Sequence, residues 1–366
     1  MATRLETDRR ETVEHRLRKF HDVGIADVLE VVGYLREPGD SVIAGGSLSF
    51  GLGNRLSDFD VVVCGRSTDT SLMPLQHWVK SLRVDVWTRA HRDIDAVFAL
   101  ADRALASTAP IAGALGSVEE EQQLKLLHRI AFGLHLDGPP LAPSGGRDHL
   151  EVARDLVVRE YAERMRESAC VAQLAARAGR WLAAAVNARS AVEEALHATL
   201  AASGVPFTGD KWLAERLTEV PDLRAGHQDF AVLPEPVDDP AFVAEAIAWC
   251  ERLTGLDLDA DQLRPALRWI HDGLLLHRVN HEDLLVAPDV GGLWQLDSGE
   301  AHAWRGLCEI GEAPATGPDR VSFPGGRCTA EQTSLCLRLY ERGLLRLDWD
   351  RGVTVAELTF PEVAGS

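Results

Sequence analysis

Residues 42–65 read VIAGGSLSFGLGNRLSDFDVVVCG, and this stretch decides the fold class of the chain. Its apolar start ends in Gly45-Gly46, which predicts a buried strand stopped by a turn that tolerates positive φ and close backbone approach. Ser47 follows, and after ten more residues a second predicted strand opens with Asp58-Phe59-Asp60. Because side chains alternate along a strand, Asp58 and Asp60 are expected on the same face.

Two carboxylates on one strand face are hard oxygen ligands of the kind that Mg²⁺ takes together with substrate phosphates. A site with two metal ions requires a further acid. Asp85 is the candidate, because it stands between two valines in an alternating segment that predicts a neighbouring strand. It is also the candidate base for an attacking hydroxyl. Ser47 and the exposed amides of the glycine turn could hold phosphate oxygens.

This pattern resembles the DNA polymerase β-type nucleotidyltransferase superfamily, which has Gly-Ser or Gly-Gly, a spacer, Asp-hydrophobic-Asp/Glu and a later strand Asp. The matching positions are Gly46, Ser47, Asp58, Asp60 and Asp85. The resemblance implies an NTP bound at Gly45, Gly46 and Ser47, and two Mg²⁺ ions bound by the three aspartates. It also implies transfer of an NMP to a hydroxyl with release of pyrophosphate. A surface hairpin with two solvated aspartates and an inactive relative both stay open as alternatives.

The charge of the chain argues against a surface for duplex nucleic acid. Its formal net charge is −18 and it has only four lysines, whereas non-specific binding of a duplex depends on basic side chains that neutralise phosphates. We therefore expect a nucleotide that arrives as its magnesium complex, and the acidic chain could attract a cationic acceptor.

Cysteine usage and hydropathy predict a cytoplasmic protein that does not enter a membrane. The six cysteines are scattered without a CxxC pair, which favours reduced and mostly buried thiols. The N-terminus is charged and lacks an apolar core, and no later stretch approaches the length of a membrane span.

Periodicity predicts an α+β chain with three parts. A nucleotidyltransferase domain is expected over 1–140, a helical-bundle partner domain over 141–278 and a winged-helix-like domain over 279–366. Within the first part we predict a helix over 10–36, strands at 41–45, 58–64, 83–87 and 132–137, and helices near 70–80, 92–105 and 117–130. The catalytic sheet is expected to be mixed.

The Ala- and Leu-rich block over 147–222 is similar to the helical partner domain of kanamycin-type and minimal nucleotidyltransferases. The resemblance implies that the carboxylate of Glu193 is a candidate to take the proton of the acceptor hydroxyl. It also implies that Lys211 is a candidate ligand of the triphosphate. A homodimer is permitted by the resemblance but not required. Solvated surface positions are the alternatives for Glu193 and Lys211. Seven residues separate Arg189 from His197, which does not fit the spacing of RNase-type partner domains, so we expect His197 on the helix surface.

Residues 281–360 are similar to the winged-helix domains that recognise leader segments of ribosomally made peptides. A hairpin over 283–297, a helix from about 298, a helix over 329–347 and a wing-like strand in WDRGVTVAEL carry this resemblance. A purely structural cap is the alternative.

The sequence thus predicts an NMP transfer to the hydroxyl of a small natural-product or antibiotic-like molecule. A peptide or protein acceptor recognised through the C-terminal part and a non-catalytic nucleotide-binding scaffold are the competing hypotheses.

Overall fold

The structure is a computed structural model of the 366-residue chain. It describes residues 2–65, 69–71, 73–111, 118–141, 148–204, 212–235, 237–259, 266–269, 275–287, 292–310, 320–322, 329–349 and 351–361.

A five-stranded mixed sheet forms the N-terminal part. Its strands are β1 (Ser41–Gly45), β2 (Phe59–Gly65), β3 (Leu75–Val79), β4 (Leu82–Ala90) and β5 (Leu134–Asp137), in the order β3-β4-β2-β1-β5. Strands β2 and β4 are parallel, whereas the other neighbouring pairs are antiparallel. The four predicted strands are therefore confirmed, and so is the mixed character of the sheet.

The helix predicted near 70–80 is wrong, because this stretch contains β3. Strand β3 is the edge of the sheet and pairs with β4 through a two-residue turn at Lys80-Ser81. Most of its side chains are exposed, with Trp78 at 67% of its full surface. Both faces of β3 are largely exposed to solvent, so its sequence lacks the apolar alternation of a half-buried strand. For this reason the sequence did not predict a strand here.

The two faces of the sheet pack against different helices. Val61 and Val63 of β2 point to a core shared with α1 (Ala2–His21) and α2 (Ile25–Val32). Val62 and Cys64 point the other way, to a core that includes α4 (His91–Ala106) and α5 (Val118–Ala131). The helix predicted over 10–36 is two helices, α1 and α2. The break is at 22–24, where Asp22 has a φ of 55° and Gly24 precedes α2.

A helical block follows the sheet, as the Ala- and Leu-rich composition predicted. Its members are α6 (His149–Arg177), α7 (Trp181–Ala202), α8 (Leu213–Arg216), α9 (Pro221–Phe230) and α10 (Pro240–Thr254). Alanines at helical spacing, Ala184, Ala188 and Ala191 among them, are fully buried where α7 packs against its neighbours. Small side chains let helix backbones approach closely, which explains the alanine content of α7.

Buried polar residues join these helices. The Arg159 side chain, 1% exposed, donates to the carbonyl of Ala104 at 2.7 Å and to that of Ser107 at 3.0 Å, so it satisfies the C-terminal end of α4. His197 is 2% exposed and lies 3.1 Å from a guanidinium nitrogen of Arg216. Its predicted surface position is therefore wrong, because α7 is packed on the face that carries this residue.

The C-terminal part contains two three-stranded sheets and two helices. The elements are β6 (Ala266–Trp269), β7 (Leu275–Val279), β8 (Glu282–Ala287), β9 (Gly292–Leu296), α11 (Ser298–Ile310), β10 (Arg320–Ser322), α12 (Ala330–Glu341) and β11 (Leu345–Asp348). The sheet orders are β7-β8-β9 and β10-β6-β11. The predicted hairpin and its following helix are confirmed. The helix predicted over 329–347 is confirmed only as far as Glu341, because residues 345–347 belong to β11. The strand predicted in WDRGVTVAEL is wrong, because the strand lies earlier, at β11, and residues 355–357 form a 3₁₀ turn.

Residues of the C-terminal part belong to the same cores as the helical block. Leu285, Leu296 and Trp304 pack in the core of α7 and α10, whereas Val353 and Leu358 pack in the core of α4 and α6. The amide of Gly352 donates to the carbonyl of Thr108 at 2.7 Å. The domain boundaries at 140 and 278 stay a prediction, but removal of residues 281–366 would expose two cores.

Helices of membrane-spanning length and hydropathy do not occur in the part of the chain that the structure describes.

Candidate active site

Asp60 and Asp85 lie next to each other on the parallel strands β2 and β4. The strand register pairs Asp60 with Asp85 and, on the other side of β2, with Gly45 at the end of β1. Asp58 precedes β2 by one residue and is separated from Asp60 by the fully buried Phe59. Because pairs in register point to the same face of a sheet, the structure brings the three predicted carboxylates to one face.

The glycine turn lies directly against the Asp60 carboxylate. Gly46 has a φ of +73°, and a Cβ at this position would overlap Oδ2 of Asp60. A left-handed backbone and this close approach both require glycine. The sequence motif therefore has a steric reason, since Gly46 leaves the space that the Asp60 carboxylate occupies.

Ser47 lies in a compact turn that several backbone hydrogen bonds fix. Its carbonyl accepts the amides of Phe50 at 3.1 Å, Leu52 at 3.0 Å and Gly53 at 3.2 Å. The turn begins with the short helix α3 (Gly46–Ser49), and Arg9 of α1 donates to the carbonyl of Ser49 at 2.7 Å. Ser47 is 7% exposed, so the surrounding fold holds this residue in place.

The guanidinium of Arg83 contacts two of the three carboxylates. Its Nη2 donates to Asp58 and, at 3.2 Å, to Oδ2 of Asp85. Its Nε lies 3.2 Å from Oδ1 of Asp85, an ion pair without the geometry of a hydrogen bond. Arg83 therefore supplies the positive charge that Asp58 and Asp85 require in this structure.

The pKa of the third carboxylate, Asp60, is raised in the folded protein. Burial raises the pKa of Asp60, and the negative charges of Asp58 and Asp85 raise it further, against the positive charge of Arg129 on α5. The guanidinium of Arg129 lies 5.1 Å from the ring centroid of Trp87, two residues beyond Asp85 on β4. A raised pKa means that ionised Asp60 would gain from a nearby cation.

The three carboxylates fit a divalent cation by their chemistry and by their register. Carboxylate oxygens are the ligands that Mg²⁺ prefers, and Asp60 lacks full compensation of its charge. As the side chains lie here, no group of three His, Cys, Asp or Glu residues in the described ranges is arranged around a metal position. The guanidinium of Arg83 instead forms ion pairs with Asp58 and Asp85.

Two further predicted site residues are not brought to this face by the described contacts. Glu193 lies on α7, where it forms an ion pair with Arg189 at 3.0 Å, and its charge also acts on His227 of α9. Its role as proton acceptor stays a prediction. Lys211 lies outside the described residues.

Sequence reasoning missed Arg83 and Arg129. Alternation could have revealed Arg83, because it precedes Asp85 by two residues and so shares its strand face. Arg129 lies on a helix that follows β4 by more than a whole element, and no local pattern indicates its distance from Asp60.

Comparisons with known proteins add little to this geometry. No protein-family model matches the sequence, and no curated protein matches it. The structure is similar to the crystal structure of a nucleotidyltransferase-like protein from Exiguobacterium sibiricum, with 11% sequence identity and a TM-score of 0.31. The alignment covers 65% of this chain and 73% of that chain. Similarity at this level carries no functional argument, so the functional conclusion rests on the three carboxylates and the glycine turn beside them.

Proposed function

We propose that this protein is a metal-dependent nucleotidyltransferase that moves an NMP from an NTP to a hydroxyl of a small-molecule acceptor. The observation that supports the proposal best is the register of Gly45, Asp60 and Asp85 across three adjacent strands. It joins a tight glycine turn, suited to phosphate oxygens, to carboxylates suited to Mg²⁺.

The residues divide the work by their positions. Ser47 and the Gly45-Gly46 turn would hold the phosphates of the NTP, on the β1 side of Asp60. Asp58 and Asp60 would bind a nucleotide-associated Mg²⁺, and Asp85 would share a second ion with them. Bound magnesium would neutralise phosphate charge and lower the pKa of the acceptor hydroxyl. Arg83 would have to leave Asp58 and Asp85 for the ions to bind.

The transfer forms one bond and breaks one bond. The acceptor oxygen attacks the α-phosphorus, and the bond from that phosphorus to the bridging oxygen of the β-phosphate breaks. Pyrophosphate would leave with the bonding electrons, and the hydroxyl proton would pass to Asp85, the candidate base. The residues would contribute through position and charge, as expected for transfer to phosphorus.

Two other readings of the same site make different predictions. A peptide or protein acceptor would engage the C-terminal part, whereas a non-catalytic scaffold would bind a nucleotide without releasing pyrophosphate. Deletion of residues 281–366 cannot separate these readings, because that segment supplies buried residues to two cores.

Calorimetric titration of the full chain with each non-hydrolysable NTP analogue and Mg²⁺ tests the proposal. We expect one or more analogues to bind the wild type, and expect the double variant Asp58→Ala/Asp60→Ala to lose this binding. Asp229→Ala, an exposed aspartate at the end of α9, is the matched control and should bind as the wild type does. Equal binding by the double variant, or no binding to the wild type, would contradict a metal-nucleotide site at these residues.

A further inference from the structure

A cavity of about 300 Å³ opens next to Asp58, at the end of the carboxylate face. Asp58 and Arg83 form the wall that it shares with the proposed catalytic site, and Arg55, Trp78 and His21 form the other walls. This volume lies at the lower end of the range of small-molecule sites. It suits a compact ligand better than a macromolecule.

The wall of the cavity that β3 and β4 supply is separated from the glycine turn by strand β2, which carries Asp60. In the sheet order β3-β4-β2-β1, the turn follows β1, whereas Trp78 is on β3 and Arg83 on β4. Asp60, on β2, lies between β1 and β4, and Asp85 lies two residues beyond Arg83 on β4. A nucleotide held by Ser47 would thus approach the carboxylates from one side and leave the cavity on the other side free for the acceptor.

The walls of the cavity contain two guanidinium groups, Arg55 and Arg83, and one carboxylate, Asp58. Arg83 is paired with Asp58, but no acidic side chain among the described residues is within ion-pair distance of Arg55, which is exposed. Burial lowers the pKa of His21, and the charge of Arg55 acts in the same direction, against a hydrogen bond that the imidazole donates to the Ser81 backbone. His21 is therefore neutral at pH 7, and Arg55 remains as the uncompensated charge. A guanidinium in this state suits a carboxylate or a phosphate.

Trp78 adds an aromatic surface to the same cavity. It is 67% exposed although it is the largest type of apolar side chain, and the strand register places it directly opposite Arg83. An exposed indole beside a charged group is a surface on which a planar ligand can stack. Stacking and the guanidinium together would recognise a molecule that is planar at one end and anionic at the other.

We infer that this cavity binds the acceptor of the transfer, and that the acceptor is a small planar molecule carrying a carboxylate or a phosphate. The inference rests on the proposed function for the role of the ligand as acceptor. It also replaces the expectation of a cationic acceptor, which followed from the net charge alone. The net charge acts over long distances and is screened by salt, whereas Arg55 acts at the point of contact.

The test uses four probes that share a six-membered aromatic ring. Phenyl phosphate and benzoate are anionic and separate the phosphate source from the carboxylate source, benzylamine is cationic and benzyl alcohol is neutral. Each is titrated into the full chain by ligand-observed NMR at fixed ionic strength. The same titrations use Arg55→Gln and Trp78→Ala. Arg92→Gln, an exposed arginine of α4, and Leu75→Ala, on the same strand as Trp78, are the matched controls.

We expect at least one anionic probe to bind about tenfold more tightly than benzylamine and benzyl alcohol, as expected for a charge-assisted contact. Arg55→Gln and Trp78→Ala should each weaken this binding by about fivefold or more, while both controls bind as the wild type does. Equal binding of benzylamine, or equal weakening in the controls, would overturn the inference.

A titration of the bound probe with a non-hydrolysable NTP analogue and Mg²⁺ separates the two proposals. Simultaneous binding supports the acceptor role. Displacement of the probe by the nucleotide would assign the cavity to the donor and overturn the inference, while the nucleotidyltransferase proposal would stand. Anion binding in a protein that binds no nucleotide would overturn the acceptor role together with the proposed function.

Discussion

Asp60 and Asp85 are register partners on two adjacent parallel strands, so their carboxylates lie on one face of the sheet although 24 positions separate them in the sequence. Parallel strands require a crossover, and here β3 and its turn provide the intervening chain. This relationship turns two separate sequence motifs into one site, and the following predictions depend on it.

Asp60→Asn is expected to remove metal-nucleotide binding and to stabilise the metal-free protein. Binding of the Mg²⁺-NTP analogue should fall by at least about 100-fold, since even outer-shell changes cost up to that much. The pKa of Asp60 is raised in the folded protein, so the wild type loses stability as the pH rises through the folded pKa. The amide carries no such penalty, and the melting temperature near pH 7 should rise by roughly 2 °C.

Thermal melts and calorimetry check both halves of this prediction. The stability advantage of Asp60→Asn over the wild type should shrink as the pH falls through the raised pKa of Asp60, where the wild-type carboxyl becomes protonated. Asp229→Asn, at an exposed position, is the control for the general effect of removing a negative charge. A lower melting temperature with retained nucleotide binding would contradict the placement of Asp60 in the site.

Gly46→Ala is expected to damage the site through Asp60 rather than through backbone strain alone. A positive φ costs an alanine about 1–2 kcal/mol wherever it occurs. At Gly46 the new methyl group would also displace Oδ2 of Asp60. Gly179→Ala is the matched control, because Gly179 has a φ of +70° and nothing lies within 4 Å of its Cβ position.

Both glycine variants should therefore lose the stability that a positive φ costs an alanine, and Gly46→Ala should lose more because its methyl group overlaps Asp60. Only Gly46→Ala should lose nucleotide binding, by about tenfold or more. Chemical denaturation and calorimetry measure the two quantities. Unchanged nucleotide affinity in Gly46→Ala would mean that the Asp60 carboxylate is not needed at its present position.

Arg83→Gln is expected to strengthen the binding of Mg²⁺ in the absence of nucleotide. The guanidinium competes with a metal ion for Asp58 and Asp85, and glutamine carries no charge. An increase of about threefold in affinity is the size expected for a half-exposed ion pair. Electron paramagnetic resonance with Mn²⁺ as the probe measures it, with Arg92→Gln as the control. Weaker binding would show that Arg83 holds Asp85 in place instead of competing for it.

His197 is expected to make the fold sensitive to acid. Burial lowers the pKa of His197 to about 3, and the positive charges of Arg216 and Arg164 contribute in the same direction. In the unfolded chain, His197 binds a proton near pH 6.5, whereas in the folded chain it stays neutral at that pH. The folded state therefore loses stability as the pH falls from about 6.5 toward 3. His197 alone changes the free energy of unfolding by at most about 1.4 kcal/mol per pH unit.

Denaturant titrations at several pH values between about 7 and 4.5 measure this slope. His197→Gln should flatten it, since glutamine can still accept the hydrogen bond from Arg216 but does not titrate near neutral pH. His15→Gln, on the exposed side of α1, should leave the slope unchanged. An equal slope in all three proteins would contradict a neutral, buried His197.

The sequence by itself determined the parts of the site that depend on local rules. Glycine at a positive φ, alternation of side chains along a strand and carboxylates flanking a buried Phe59 are all readable without neighbours in space. The same rules predicted β1, β2 and β4 because these strands are apolar on at least one face. The same rules did not predict β3, because this strand is at the edge of the sheet and both of its faces are largely exposed to solvent.

Only the tertiary structure decided which charges meet. The pairing of Arg83 with Asp58, the approach of Arg129 to Asp60 and the position of Arg55 near Trp78 all join separate elements. The surface position predicted for His197 was wrong for the same reason. The sequence does not show which faces of α7 are covered by other elements. Periodicity shows that a face is apolar or polar, whereas burial and charge compensation depend on what packs against it, and that is a property of the whole fold.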